Sequence, residues 1–146
     1  MKIVIASDHA AVKEKTELTK WLKEESHKVT DKGTFTEESC DYPDFACLAA
    51  KDVSEEKSER AIIICGSGVG VSIVANKVKN VRAALCYNSE IASLSRKHNN
   101  ANVLCYGARF ISLDSAKEMI DIFLKTEFEG GRHQSRVDKI HSLTEK

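Results

Sequence analysis

Short apolar runs alternate along the chain with longer segments in which apolar residues recur every three or four positions. The short runs are rich in β-branched residues and stop at polar residues or glycines, a pattern typical of buried parallel strands. They cover residues 2–7, 29–30, 60–65, 81–86 and 101–106, with the run at 29–30 the weakest. Arg60–Cys65 is the clearest of them, and we expect it to be the central strand.

The intervening segments predict amphipathic helices. Leu18, Trp21 and Leu22 form an apolar stripe in a helix over about 12–26. Pro43 suits the first turn of a second helix reaching about residue 53. Three further helices are predicted. The first ends at residue 75, and the second covers 89–97. The third runs from a capping box at Ser115-x-x-Glu118 to the glycines at 130–131. Apolar residues at 137, 140 and 143 indicate a last helix from about 131.

This alternation predicts an α/β fold: a single domain over 1–146 with three Rossmann-like layers, in which helices cover both faces of a five-stranded parallel sheet. The length of 146 residues is that of one ordinary domain. We expect the strand order 2-1-3-4-5. Strands one and three are then neighbours at the point where the order reverses, and ligands bind beyond the carboxyl ends of the strands there.

Charge and composition exclude several classes of protein. Lys plus Arg (22) balance Asp plus Glu (22), so no long-range field attracts nucleic acid or an anionic membrane. The apolar runs are too short for a membrane span or for the core of a secretory signal, and we therefore expect a cytoplasmic protein. The five cysteines include no C-x-x-C pair and indicate neither a disulfide framework nor a zinc site.

A glycine-rich loop follows the central strand directly: after Cys65 come Gly66, Ser67, Gly68, Val69 and Gly70, and then a helix. Such a loop lets backbone N–H groups approach a bound oxygen, and the helix start favours negative charge. It therefore predicts a cradle for an anion, although a tight strand-to-helix turn needs glycine in any case.

The loop does not match three known sequence motifs for phosphate or nucleotide sites. A phosphate-binding NTPase loop requires Gly-Lys-Ser/Thr, whereas Gly70 is followed by Val71. A Cys-x₅-Arg phosphatase requires arginine at that same position. The dinucleotide fingerprint requires its third glycine one residue later and an acidic residue near position 86, which is cysteine.

Cys65 lies at a strand end just before a helix, an environment that favours the thiolate form. The alternative is a cysteine packed as a small apolar residue, which suits Cys47, Cys86 and Cys105 well. Asp8 and His9 follow the first strand and are expected at the same sheet edge. They form either an acid/base pair or an ordinary turn, and their position favours the pair.

Basic residues near the end of the chain are candidates for binding phosphate. Arg132, His133 and Arg136 are predicted on the last helix, where the two arginines share a face, although a solvated basic face is equally compatible. Arg109 follows the last strand and either joins them or lies on the surface. His98 and Asn99 end a helix, where a histidine cap is the alternative explanation. Tyr42 either lines the crevice or packs in the core.

Together these residues resemble the B-type ribose-5-phosphate isomerases and the related galactose-6-phosphate isomerase subunits. The resemblance spans nearly the whole chain. Its motifs are Ser7-Asp8-His9-Ala10, Asp31-Lys32-Gly33-Thr34, Asp41-Tyr42-Pro43, the segment 65–70, Ala75-Asn76-Lys77, Leu94-Ser95-Arg96, His98-Asn99, Asn102-Val103-Leu104 and Gly130-Gly131-Arg132-His133.

The resemblance implies reversible aldose–ketose isomerisation of a sugar phosphate through an enediolate, without metal or organic cofactor. In it Cys65 is the base, the N–H groups from Gly66 to Gly70 hold the developing oxyanion, and Ser67 assists. His98 with Asp8 opens the sugar ring, and Asn99 binds the sugar. The residues implied in holding the phosphate are His9, Arg109, Arg132 and Arg136, with His133 and Tyr42 as further contacts.

Some positions depart from the family pattern. Ala11 stands where glycine is frequent and Asn100 where aspartate is frequent. Val71 occupies the position of a glutamate that serves as base in family members without the cysteine, which leaves Cys65 as the base here. Ribose 5-phosphate and ribulose 5-phosphate are the expected substrates. A hexose-6-phosphate isomerase and a non-catalytic flavodoxin-like phosphate-binding module are the alternatives.

The predicted topology also indicates a partner. His98 ends the helix before the last strand and so lies at the amino edge of the sheet, opposite Cys65. One chain cannot easily bring the two together. We therefore expect a second subunit to supply His98 and Asn99 in a homodimer, or a tetramer built from it, as the resemblance also implies. Which subunit's arginines serve each site stays open.

Overall fold

The computed structural model describes residues 1–144, which form one parallel five-stranded sheet between two layers of helices. The strands are β1 (Lys2–Ser7), β2 (Lys28–Asp31), β3 (Arg60–Cys65), β4 (Ala83–Leu85) and β5 (Val103–Gly107). The helices are α1 (Val12–Glu24), α2 (Tyr42–Ser54), α3 (Val69–Ala75), α4 (Ser89–Asn99), α5 (Leu113–Lys125) and α6 (Gln134–Thr144). Two 3₁₀ turns, His9–Ala11 and Gly131–His133, precede α1 and α6. The predicted α/β fold class is confirmed.

The sheet order is β2-β1-β3-β5-β4, so the expected order 2-1-3-4-5 is wrong at one end. The prediction that β1 and β3 are neighbours is confirmed, with Ile5 opposite Ile62. β5 lies beside β3 with all five of its residues buried, whereas β4 lies at the edge with two residues partly buried and one exposed. A short, partly exposed strand is suited to an edge, since it offers little unpaired backbone to other chains.

Two apolar clusters fill the space on the two sides of the sheet. Alternate residues of β1 and β3 contribute to each side: Ile3, Ile5, Ile62 and Ile64 pack with α1, α4 and α5. Val4, Ala6, Ala61 and Ile63, on the opposite face of the same two strands, pack against α2 and α3. β1 and β3 are therefore held on both faces, which fixes the residues at their carboxyl ends.

Two helix boundaries differ from those predicted. The α5 N-cap is Ser112, whose Oγ accepts a hydrogen bond from the Ser115 N–H at 3.3 Å, so Ser115 lies inside the helix. The helix ends at Lys125 rather than at the glycines, since Thr126 is extended. Arg132 and His133 accordingly belong to the 3₁₀ turn before α6, and only Arg136 lies on α6 itself. No helix within 1–144 is both long and apolar enough to cross a bilayer.

A buried lysine joins α1 to the end of β2. Lys15 is 1% exposed, and its ammonium group forms an ion pair with Asp31 and lies 4.8 Å from the ring centroid of Phe35. Asp31 also accepts a hydrogen bond from the Gly33 N–H at 2.8 Å. Gly33 in turn accepts one from the Ser7 N–H at 2.7 Å. This charge network therefore fixes the loop that lies beside the end of β1.

We expect Lys15→Met to lower the free energy of unfolding by about 3 kcal/mol, because it leaves the Asp31 carboxylate without its buried partner. The matched control is Lys13→Met, which removes an exposed ion pair to Glu37 and is expected to cost less than about 1 kcal/mol. Urea unfolding of both variants measures the difference. Equal losses would show that the buried pair contributes no more than a surface pair.

Candidate active site

A cleft of about 200 Å³ opens at the carboxyl ends of β1, β3 and β5. It is lined by eight of the residues singled out from the sequence: Asp8, His9, Tyr42, Cys65, Gly66, Ser67, Gly70 and Arg109. The location is the one expected for ligands in an open parallel sheet, where the strand order reverses between β1 and β3.

The Cys65 thiol is held at the base of the glycine loop. The Gly68 N–H donates a hydrogen bond to its Sγ at 3.0 Å, and the residue is 5% exposed while still lining the cleft. Gly68 is the N-cap of α3 and has φ +78°, a conformation that favours glycine. The sulfur is therefore held between the start of α3 and the cleft.

Two of the other cysteines are much less suited to act as bases. Burial raises the pKa of Cys86 to about 11. Burial also raises the pKa of Cys105 well above its ordinary value, and the neighbouring thiols Cys86 and Cys65 act in the same direction. Both thiols therefore stay protonated at neutral pH.

The glycine loop rests against the end of β5. A Cβ on Gly107 would come within 2.5 Å of the Ser67 carbonyl carbon, and a Cβ on Gly68 within 2.6 Å of the Tyr106 carbonyl carbon. Backbone N–H groups of Ala108 and Arg109 donate to the carbonyls of Cys65 and Gly66 at 2.9 and 3.2 Å. The inner position of β5 thus brings Arg109 to the cleft.

Side chains from two other elements close the cleft. The Tyr42 ring, at the start of α2, lies so near the loop that a Cβ on Gly70 would be 2.5 Å from its Cζ. The Arg109 guanidinium lies over Gly66, with its Cζ 3.0 Å from where a Cβ would be. Tyr42 and Arg109 therefore stand on opposite parts of the same loop.

Asp8 and His9 are fixed by their backbone surroundings. Asp8 is 8% exposed, and its Oδ1 accepts a hydrogen bond from the Ala10 N–H at 3.0 Å, which caps the 3₁₀ turn. His9 Nδ1 accepts a hydrogen bond from the Cys40 N–H at 3.3 Å. Since Nδ1 is an acceptor there, the ring presents its other nitrogen as the donor. Cys40 was not predicted to be near the site, and nothing in its local sequence pattern indicates the contact.

The remaining predicted residues lie elsewhere. Within the described part of the chain, His98, Asn99, Arg132, His133 and Arg136 do not line the cleft. Asn99 is the last residue of α4 and is exposed, as are both arginines. α4 ends at the amino edge of the sheet, and the length of β5 separates the two edges by about 15 Å. A single chain therefore holds two separate groups of candidate residues.

The second group has its own internal contacts. The His98 and His133 rings stack with centroids 4.3 Å apart and an interplanar angle of 12°. His133 Nε2 lies 3.6 Å from Glu129 Oε2. Burial, followed by the nearby charge of His98, lowers the pKa of His133, while Glu129 acts in the opposite direction. Glu129 was not predicted, because its approach to His133 depends on the turn at Gly130 and Gly131 and not on helical spacing.

The fold and the cleft together define an α/β protein with a thiol beside a glycine-rich loop at the switch point of a parallel sheet. Residues 3–140 match the family described as Ribose/Galactose Isomerase. The chain belongs to this family, and it is an aldose–ketose isomerase.

Individual relatives agree with this assignment over their full lengths. Ribose-5-phosphate isomerase B of Escherichia coli (strain K12) is 41% identical over 145 residues, which cover 99% of this chain and 97% of that protein. The structure of Clostridium thermocellum ribose-5-phosphate isomerase B is similar with a TM-score of 0.97 at 48% identity, covering 99% and 98% of the two chains. The crystal structure of Mycoplasma genitalium ribose-5-phosphate isomerase B with bound ribulose-5-phosphate is similar with a TM-score of 0.95 at 44% identity. The match covers 99% of this chain and 97% of that chain.

Proposed function

We propose that the protein interconverts ribose 5-phosphate and ribulose 5-phosphate, with Cys65 as the base. The observation that carries the proposal is the 3.0 Å hydrogen bond from the Gly68 N–H to Cys65 Sγ inside the cleft. It supports a thiolate facing the space in which a sugar would bind. The similarity to enzymes named ribose-5-phosphate isomerase B supports the five-carbon substrate.

The chemistry proceeds through an enediolate. The Cys65 thiolate takes the proton from C2 of the open-chain aldose, the C–H electron pair forms the C1–C2 double bond, and the carbonyl oxygen becomes an oxyanion. The loop N–H groups from Gly66 to Gly70 stabilise that charge, with Ser67 beside them. The same thiol returns the proton to C1 while the hydroxyl proton passes from O2 to O1, which yields the ketose.

Residues outside the glycine loop open the ring and hold the rest of the substrate. In the proposal His98 transfers the proton that opens the furanose ring, with Asp8 assisting, and Asn99 binds the sugar hydroxyls. The phosphate is held by five cationic or polar donors: His9, Arg109, Arg132, His133 and Arg136. Tyr42 is a neighbouring contact. Arginine forks are well suited to phosphate because they donate two hydrogen bonds at once.

A shared site between two subunits follows from the separation of the two groups. Cys65 lies at the carboxyl edge of the sheet and His98 at the amino edge, so we propose a homodimer in which each cleft receives His98 and Asn99 from the other chain. A cytoplasmic location is part of the same proposal, supported by the use of five free thiols, which persist in a reducing compartment.

Comparing kcat/KM for ribose 5-phosphate with that for allose and galactose 6-phosphates tests the substrate. We expect the pentose to be favoured by about 10–200-fold, the usual effect of one extra carbon unit in a fitted pocket. A higher kcat/KM for a hexose 6-phosphate would show that the protein is an isomerase of six-carbon sugar phosphates. Binding of sugar phosphates without any isomerisation would instead indicate the non-catalytic phosphate-binding module.

A further inference from the structure

A cluster of metal-ligating side chains lies at the edge of the sheet opposite the cleft. It consists of His98 at the end of α4, Glu129 in the segment after α5, and His133 in the 3₁₀ turn before α6. One ligand atom from each residue lies within 4.8 Å of the other two. A hydrogen bond from the Glu129 N–H to the Lys97 carbonyl at 3.1 Å ties the segment to α4. Three separate segments therefore converge on one point.

Two imidazoles and one carboxylate form a ligand set that Zn²⁺ uses in proteins, with a fourth position left for water. With bonds of about 2.0–2.2 Å, the ligand atoms of a tetrahedral site stand roughly 3.4 Å apart. His133 Nε2 and Glu129 Oε2 are already 3.6 Å apart. The lone pairs of an imidazole lie in its ring plane, so the His98 ring must turn out of its stack on the buried His133 before both rings can point at one ion. The His98 side chain is partly exposed and the Glu129 side chain half exposed, so these two are the side chains that move.

We propose that His98, Glu129 and His133 bind Zn²⁺ or a similar divalent transition metal, and that the bound ion inhibits isomerisation. The inhibition rests on the proposed function, because coordination occupies the His98 imidazole that opens the sugar ring. The binding itself does not rest on it. The metal acts here as an inhibitor and not as a cofactor of the reaction.

The charges around the cluster set the expected affinity for the metal ion. Glu129 supplies one negative charge, whereas Arg132 and Arg136 are close enough to His133 to act on its charge and repel a cation. We therefore expect micromolar rather than nanomolar affinity. Since His98 and His133 are also proposed to contact the substrate, Zn²⁺ is expected to compete with sugar phosphate.

Calorimetric titration with ZnCl₂ in a phosphate-free buffer tests the binding. The titration uses Cys65→Ala protein, so that the cleft thiol cannot take up the metal. We expect one ion per chain, and at least a tenfold weaker affinity when Glu129→Gln or His133→Asn is added. The matched control is Glu127→Gln, which removes a carboxylate two residues away and should leave the affinity unchanged. Equal affinity in all these proteins would overturn the proposal.

Kinetics test the inhibition in protein that retains Cys65. The rate of each protein without metal serves as its own reference. At least tenfold more ZnCl₂ should be needed to halve the rate of Glu129→Gln than to halve that of wild type, with full recovery on adding EDTA. Equal inhibition of Glu129→Gln and wild type would assign the effect to another ligand, such as Cys65, and overturn the proposal. If the metal-free protein has no isomerase activity, the proposed function fails, whereas the calorimetry still decides whether the metal binds.

Discussion

Cys65→Ala is expected to lower kcat by about 10²–10⁴-fold, the usual contribution of a positioned acid/base group. KM should change little, because the thiol is proposed to act on the C–H bond and not on the phosphate. The variant should remain folded, since only a sulfur atom is removed from a residue at the cleft surface. Steady-state kinetics with ribose 5-phosphate, together with a urea unfolding curve, measure both quantities.

Arg132→Ala provides the contrasting variant. Arg132 is exposed and does not support the core, so its loss should act on substrate binding and raise KM by about 10–100-fold, as for a lost charge-assisted hydrogen bond. The division of roles predicts that one variant changes mainly kcat and the other mainly KM. A Cys65→Ala enzyme that keeps kcat within tenfold of wild type would exclude the thiol as the base.

Mixing two inactive proteins is expected to restore activity if the sites are shared. Cys65→Ala chains retain His98, and His98→Ala chains retain Cys65, so a heterodimer contains one site with both groups intact and one with neither. Random exchange of equal amounts makes half of the dimers mixed, and about a quarter of the wild-type activity should return. Unfolding and refolding the two together, followed by kinetics, measures this recovery.

The control is a mixture of Cys65→Ala protein with chains that carry both substitutions. It cannot form an intact site and should stay inactive. Mass spectrometry of the native assemblies establishes that mixed dimers have formed. If mixed dimers are present and no activity returns, Cys65 and His98 do not act together across a subunit boundary.

The sequence was sufficient to predict the α/β fold class and the cleft at the ends of β1 and β3. Both predictions rest on local patterns: buried apolar runs ending in Asp8 and in Cys65, and a glycine loop that leads into a helix. Parallel strands place such ends at one edge by geometry alone. The placement of Asp8, His9 and the segment 65–70 at one sheet edge could therefore be predicted without knowledge of distant contacts.

The order of the last two strands could not be predicted in the same way. Both candidate runs are apolar, and the difference lies in how much of each is covered by helices: β5 is wholly buried whereas β4 is not. That coverage is a property of the assembled molecule. The same applies to the Lys15–Asp31 pair and to the contact of Cys40 with His9, which join residues far apart in sequence.

The end of β5 closes the pocket from the side. Ser67 lies against Gly107 so closely that the end of β5 has no room for a side chain. The glycine-rich motif proposed to hold the oxyanion is therefore not limited to residues 66–70. Its fourth indispensable glycine is contributed by a different strand, and an alteration there would deform the pocket without touching any residue of the motif.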